Sequence, residues 1–241
     1  VSEGGDSASE STPDSEDPDV EDSSVDDDTD ATGDGDFEPD VEVDRMQSFF
    51  TWLWQWIRDV SLGVVLVVCL FAMLAAASGV WPPLTVVESG SMEPSINQGD
   101  ITVVTTTDRF TPDHADQYGV VTHDVGAKHG VEYFGDYGSV IVFEQPGATI
   151  PTIHRAMFYV EEGENWYSRV NPEYTDDALG CADLEYCPAP NSGYITKGDN
   201  NDYYDQEIGL SPPVDNEWII GVSHLRIPYL GWIRLIVDFL A

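Results

Sequence analysis

The sequence predicts a mainly β protein. An antiparallel β domain is expected on an N-terminal transmembrane helix, with a disordered acidic tail ahead of the helix. Three features carry this expectation. Residues 1–45 hold 19 acids and one base, Arg45, with very few apolar side chains. Residues 60–80 form an uncharged apolar run. From Leu84 onward, short runs of β-branched and aromatic residues are separated by Gly, Pro, Asn and Asp, the punctuation of strands and turns.

Residues 1–45 are mostly Asp, Glu, Ser, Gly and Pro. They bury too little apolar surface to offset chain entropy, so the sequence marks them as a disordered tail. The stretch "DATGDGD" has calcium-like acids without the further ligand spacing of a calcium loop.

Residues 46–83 read as the membrane anchor. No charge occurs between Asp59 and Glu88. A helix of about 20 residues spans one hydrocarbon core, so the span is placed at about residues 60–80. Trp52, Trp54 and Trp56 stand at one end and Trp81 at the other, as interfacial aromatics do. Pro82-Pro83 stops the helix. The run is too long for a cleavable signal peptide, so "AAASG" reads as small-residue packing in a retained anchor. Arg45 and Arg58 precede the span, and the next base is Arg109. The positive-inside rule therefore predicts a single-pass cell-membrane protein, with its N-terminus cytoplasmic and residues 81 onward outside.

Residues 84–226 read as the β domain. Its expected strands lie in "LTVVES", "DITVVTTT", "YGVVTH", "GSVIVFE", "TIHRAMFYV", "NWYSRV", "GYITKGD" and "NEWIIGVSHL". The polar stretches 108–136 and 171–192 read as loops or insertions. Residues 227–241, "IPYLGWIRLIVDFLA", are apolar but too short to span a bilayer. They read as a membrane-proximal segment lying in the interface.

The chain carries a formal net charge of −36. Residues 1–45 supply −18, and the other −18 is spread over residues 46–241. This balance repels nucleic acid. Only Lys128 and Lys197 are lysines. An acidic, lysine-poor chain of this kind is suited to concentrated salt, as in an extreme halophile, where charge repulsion is screened over a few ångströms. Cys69 falls in the anchor. Cys181 and Cys187 share one loop in the predicted outer compartment, which favours a disulfide over a zinc site.

Three stretches carry candidate chemistry. "ESGSMEPSI" places Ser91 in a polar turn just beyond the anchor. A serine needs a base within hydrogen-bond reach, and the base needs an orienting acid. His114, His123 and His129 lie in the polar 108–136 stretch without metal-ligand spacing, and His224 lies near the C-terminal segment. His154 stands in the apolar run "TIPTIHRAMFYV", where a buried imidazole must find a partner. "YITKGDNNDYYDQE" runs from a strand into a turn rich in Asp and Asn. Tyr203 and Tyr204 occupy positions where a calcium loop needs Asp or Asn and then Gly.

Taken together and in this order, "SGSMEP", "IHR" and "TKGDNNDYYD" resemble the type I signal peptidases, in their archaeal and endoplasmic-reticulum branch. The resemblance covers the anchor and most of residues 84–231. The tail and the loop "PEYTDDALGCADLEYCPAP" fall outside it. It implies a serine endopeptidase that removes signal peptides from exported preproteins at the outer membrane face. It makes Ser91 the nucleophile, His154 the general base and Asp205 the orienting acid. Asp199 takes a supporting role, read as holding the turn through backbone N–H groups. Ser89 joins the Ser91 N–H in holding the oxyanion. No metal or organic cofactor is implied. The implied partners are signal peptides, membrane lipid and the secretion machinery.

The resemblance also implies small, uncharged residues just before the cut and two residues earlier. A substrate lying extended along the strands before Ser91 and around His154 would have Val87 and Ile153 lining its wall. Two alternatives stand beside it. Lys197 is the one lysine that could act as a bacterial-type base, although neighbouring Asp199 favours its charged form. A catalytically inactive, membrane-anchored β module binding partners at the cell surface would require the three motifs to co-occur without chemistry.

Overall fold

The computed structural model describes residues 40–232 and residue 236, with side chains from Asp44 onward. Residues 1–39 of the tail expected to be disordered, and most of the C-terminal segment, lie outside the described residues; residues 40–45, also expected to be disordered, are instead helical and continuous with the anchor helix. Helix α1 runs Asp40–Ser78. Between Asp44 and Ser78 it holds an 18-residue stretch with a mean hydropathy of 2.7, long and apolar enough to cross a membrane. Leu62, Leu66 and Leu70 are all exposed, as expected of a helix whose apolar surface faces lipid.

The end of α1 is capped from the β domain. Gly79 adopts a φ of +75°, the left-handed conformation that closes helices, and its N–H donates to Ala75 O. Arg109 Nη1 donates to the carbonyls of Ala76 and Ala77 at 2.7 and 2.8 Å. These are carbonyls that the helix itself leaves unpaired.

Beyond the anchor, the expected antiparallel β architecture is present. The strands are β1 Leu84–Val86, β2 Ile101–Thr105, β3 Glu132–Tyr133, β4 Asp136–Tyr137, β5 Val140–Phe143, β6 Thr152–Val160, β7 Gly193–Lys197 and β8 Ile219–Ile227. The main sheet has the order β1-β2-β8-β5-β6-β7, while β3 and β4 form a separate hairpin. Every pairing is antiparallel. In β6 the register against β7 shifts between Ala156 and Phe158. The extra residue reverses the side-chain alternation. Ala156 therefore packs with Val120, Ile141, Tyr194 and Val222, whereas Phe158 and Val160 pack with Trp166, Leu184 and Tyr204.

Several expected elements differ. "NWYSRV" forms a 3-10 turn over Trp166–Arg169, not a strand. Asn165 caps it by accepting from Tyr167 N, and Trp166 is buried as a single anchor. "YGVVTH" is not a strand either. Val120 and Val121 are buried, but their N–H groups bond side chains, Asp116 Oδ1 and Ser139 Oγ. The first residues of "NEWIIGVSHL" form a 3-10 turn before β8. The 108–136 stretch holds helix α2, His123–His129, and the β3–β4 hairpin. The 171–192 stretch is largely irregular, with 3-10 turns at Pro172–Tyr174 and Cys181–Asp183. Cys181 and Cys187 are disulfide-bonded.

Candidate active site

The turn carrying Ser91 follows β1. Met92 and Ile96 anchor it in the core, packed with Val87 and Val140. The "GDNN" turn holds it from the other side. Asn200 N donates to Ser91 O at 2.8 Å, and Asn200 Nδ2 donates to Gly90 O at 3.1 Å. Gly198 makes this approach possible, because a Cβ there would stand 2.6 Å from Ser91 O.

His154 lies on β6, opposite Ile141, and is buried. Its Nε2 is 3.0 Å from Ser91 Oγ, and its Nδ1 is 2.6 Å from Asp205 Oδ2. Asp205 is fully buried. Its N–H donates to Thr196 O at 2.9 Å, and Thr196 Oγ1 donates to Oδ2 at 2.7 Å. A carboxylate facing Nδ1 fixes the hydrogen on that nitrogen and leaves Nε2 able to accept from Ser91 Oγ–H. Ser89 Oγ lies 3.2 Å from Ser91 Oγ.

Asp199 is not part of this line. Its carboxylate accepts from the buried Arg155 through Nε at 2.8 Å and Nη2 at 2.6 Å. It therefore holds the turn through a side-chain ion pair, not through the backbone N–H groups expected. Arg155 Nη1 also donates to Gly138 O at 2.8 Å, tying the β3–β4 hairpin to the site. Arg155 sits beside His154 in "IHR", but a lone arginine in an apolar strand did not reveal its partner. Thr196 was also missed. Its signal was its place two residues before Gly198, on the strand that leads into the turn.

Lys197 is buried beside the site. Its Nζ donates to Gly198 O at 2.9 Å and stands 4.5 Å from the centroid of the Tyr174 ring. Burial pulls its pKa down, while Asp199, Asp205, Asp136 and Asp202 push it back up. Nζ makes no hydrogen bond to Ser91. Among the described residues no cluster of His, Cys, Asp or Glu has the grouping of a metal site.

A groove of about 830 Å³ opens at Ser91 and His154. Val87 and Ile153 line it, as expected, and so do Val80, Trp81 and Pro82, immediately after α1. The free edge of β1 faces it, since among the described residues β1 pairs with β2 alone. Residues 152–154 are also open on one side, because β6 meets β7 only from Arg155 on.

Replacing Asp199 with Asn removes the bidentate, nearer carboxylate of buried Arg155 and leaves it with Asp136, 3.6 Å from Nε. Breaking such a pair costs roughly 3–5 kcal/mol, which corresponds to a fall in Tm of roughly 10 °C for a chain of this size. A thermal melt showing a change under about 2 °C would mean that the remaining Asp136 carboxylate balances Arg155 by itself.

An antiparallel β domain with an aligned serine, histidine and aspartate at an open groove has the geometry of a serine hydrolase site. No family model matches the chain. Among curated proteins it is similar to the signal peptidase complex catalytic subunit sec11 of Aspergillus oryzae, 26% identical over 160 residues, covering 65% of each chain. It is also similar to the signal peptidase complex catalytic subunit SEC11C of Homo sapiens and of Mus musculus. Each is 25% identical over 167 residues, 68% of this chain and 62% of the relative. The match thus spans a little under two thirds of the relatives' own length. The chain is weakly homologous to the catalytic subunits of endoplasmic-reticulum-type signal peptidases.

Proposed function

We propose that this chain is a membrane-anchored serine endopeptidase that removes signal peptides from exported preproteins at the outer membrane face. The observation that carries the reading is the continuous hydrogen-bonded line from Ser91 Oγ through His154 to Asp205, at 3.0 and 2.6 Å. Homology to signal peptidase catalytic subunits supports the substrate class. The groove supports it as well, because its wall begins where the anchor ends, beside the place where a membrane-inserted peptide emerges.

In this mechanism Ser91 Oγ adds to the scissile carbonyl carbon as its proton passes to His154 Nε2. Asp205 stabilises the imidazolium that forms. Collapse breaks the peptide bond, and the leaving amine takes the proton from Nε2. A water then repeats the sequence, releasing the signal peptide as a carboxylate and restoring Ser91. Ser91 N–H and Ser89 O–H face the developing oxyanion; losing one such donor costs roughly 3 kcal/mol of transition-state stabilisation. The substrate lies extended between the free edges of β1 and of residues 152–154, with alternate side chains against one wall.

The test is cleavage of a preprotein bearing Ala just before the cut, compared with versions bearing Leu or Asp. Processing of the Ala substrate alone is expected, together with labelling of Ser91 by a serine-reactive phosphonate. An unlabelled, inactive wild-type chain would instead favour a binding module.

The acidic folded part is proposed to work in concentrated salt. With −18 on residues 46–241, carboxylates repel at low ionic strength. Activity should therefore fall as salt drops from molar to about 0.1 M, and deleting residues 1–44 should leave that dependence in place. A truncated chain indifferent to salt would move the cause to the tail. Arg45 and Arg58 support a cytoplasmic N-terminus and an outer catalytic domain.

A further inference from the structure

Asp205 is held less completely than its burial suggests. Oδ2 accepts from Thr196 and His154, but Oδ1 has no hydrogen-bond partner among the described residues. The direction of the carboxylate therefore depends on where the backbone of residues 203–207 is held.

The loop outside the signal peptidase resemblance supplies much of that hold. Tyr204 N donates to Tyr174 O at 3.3 Å, and Asn171 N donates to Tyr204 Oη at 3.1 Å. On the other side of Asp205, Asp176 N donates to Glu207 Oε1. The Tyr174 ring stands edge-on to Tyr204 with centroids 5.6 Å apart. The same ring meets the Lys197 ammonium at 4.5 Å, and that ammonium ties down Gly198 O at 2.9 Å. Tyr174 thus touches both ends of the turn, the Gly198 end through Lys197 and the Asp205 end through Tyr204.

We infer that Tyr174 and Lys197 are positioning residues for Asp205, and that the loop bearing Tyr174 is a working part of the active site. This inference rests on the serine-peptidase reading. A ring-and-ammonium clamp suits the task because a cation over an aromatic face is attracted without a strict hydrogen-bond geometry. It also leaves the other donors of Nζ to the turn carbonyls.

The test uses the full-length chain and a cleavable preprotein. Tyr174→Leu and Lys197→Met should each lower kcat by roughly ten- to a hundredfold, as a misplacement of about 1 Å does. KM should stay within about twofold, because the lost interaction serves the transition state. Tyr174→Phe keeps the ring and should retain kcat within about twofold. A second readout needs no substrate. The short His154–Asp205 hydrogen bond should give a low-field Nδ1 proton resonance, which both disruptive variants broaden or shift and Tyr174→Phe preserves. If Lys197→Met does not fold, the comparison of Tyr174→Leu with Tyr174→Phe decides. Wild-type kcat and an unchanged resonance in Tyr174→Leu would overturn the inference. A wild-type chain that cleaves nothing would overturn the peptidase reading instead, while the resonance still reports on positioning.

Discussion

Alanine in place of Ser91 is expected to abolish preprotein cleavage, with turnover falling by roughly six powers of ten. The hydroxyl is the only atom lost, and it sits half-buried in a turn whose anchors are Met92 and Ile96. Folding should therefore be unaffected, and a thermal melt should match the wild type within a few degrees. His154 would remain bonded to Asp205 with no oxygen to activate. The residual rate comes from the groove and the oxyanion donors alone. Cleavage and melting are measured on the same preparation, so that loss of chemistry is separated from loss of fold. Near-wild-type cleavage by this variant would sink the mechanism outright.

The second large effect is at Asp205. Asparagine there should lower turnover by roughly three to four powers of ten. The atom at the Oδ2 position accepts from both Thr196 Oγ1 and His154 Nδ1. If the amide nitrogen takes that place, both bonds fail and His154 is pushed to the wrong tautomer. If the amide oxygen takes it, the tautomer survives but the imidazolium loses its counter-charge. Either orientation slows the reaction. Asp199→Asn acts through Arg155 and should cost mainly stability, leaving turnover at saturating substrate far higher than in Asp205→Asn. A dead Asp199→Asn beside an active Asp205→Asn would reverse the two roles. Two active variants would leave a Ser–His dyad.

The candidate site was legible because its members lie in short local motifs. Ser91, His154 and Asp205 each stand in a distinctive run, and family resemblance joined the runs before any distance was known. Partners set by tertiary packing were not legible. Arg155 meets Asp199 only because β6 and β7 are neighbours, and nothing in "IHR" or "GDNN" states that pairing. The fold shows the same limit. β6 is legible at its full length, because seven of its nine residues are apolar, aromatic or β-branched and the run is strand-length. "YGVVTH" has the same composition, but Asp116 and Ser139 satisfy its N–H groups in place of a neighbouring strand. α2 went unread because Gly126 is its one buried residue, so it carries no apolar stripe to give it a helical period.

In the proposed mechanism, the line of residues through His154 also governs when the protein first becomes reactive. Ser91 and His154 are 63 positions apart, and His154 and Asp205 are 51. Synthesis runs from the N-terminus, so the serine emerges long before the strand that bears its base and the turn that bears the acid. Ordering these distant segments also requires closing long loops. A half-made chain would thus hold a serine no more reactive than any other hydroxyl, even with its anchor already placed beside other nascent chains. Proteolytic competence would arrive in one late step, and the membrane would be spared a partly built protease.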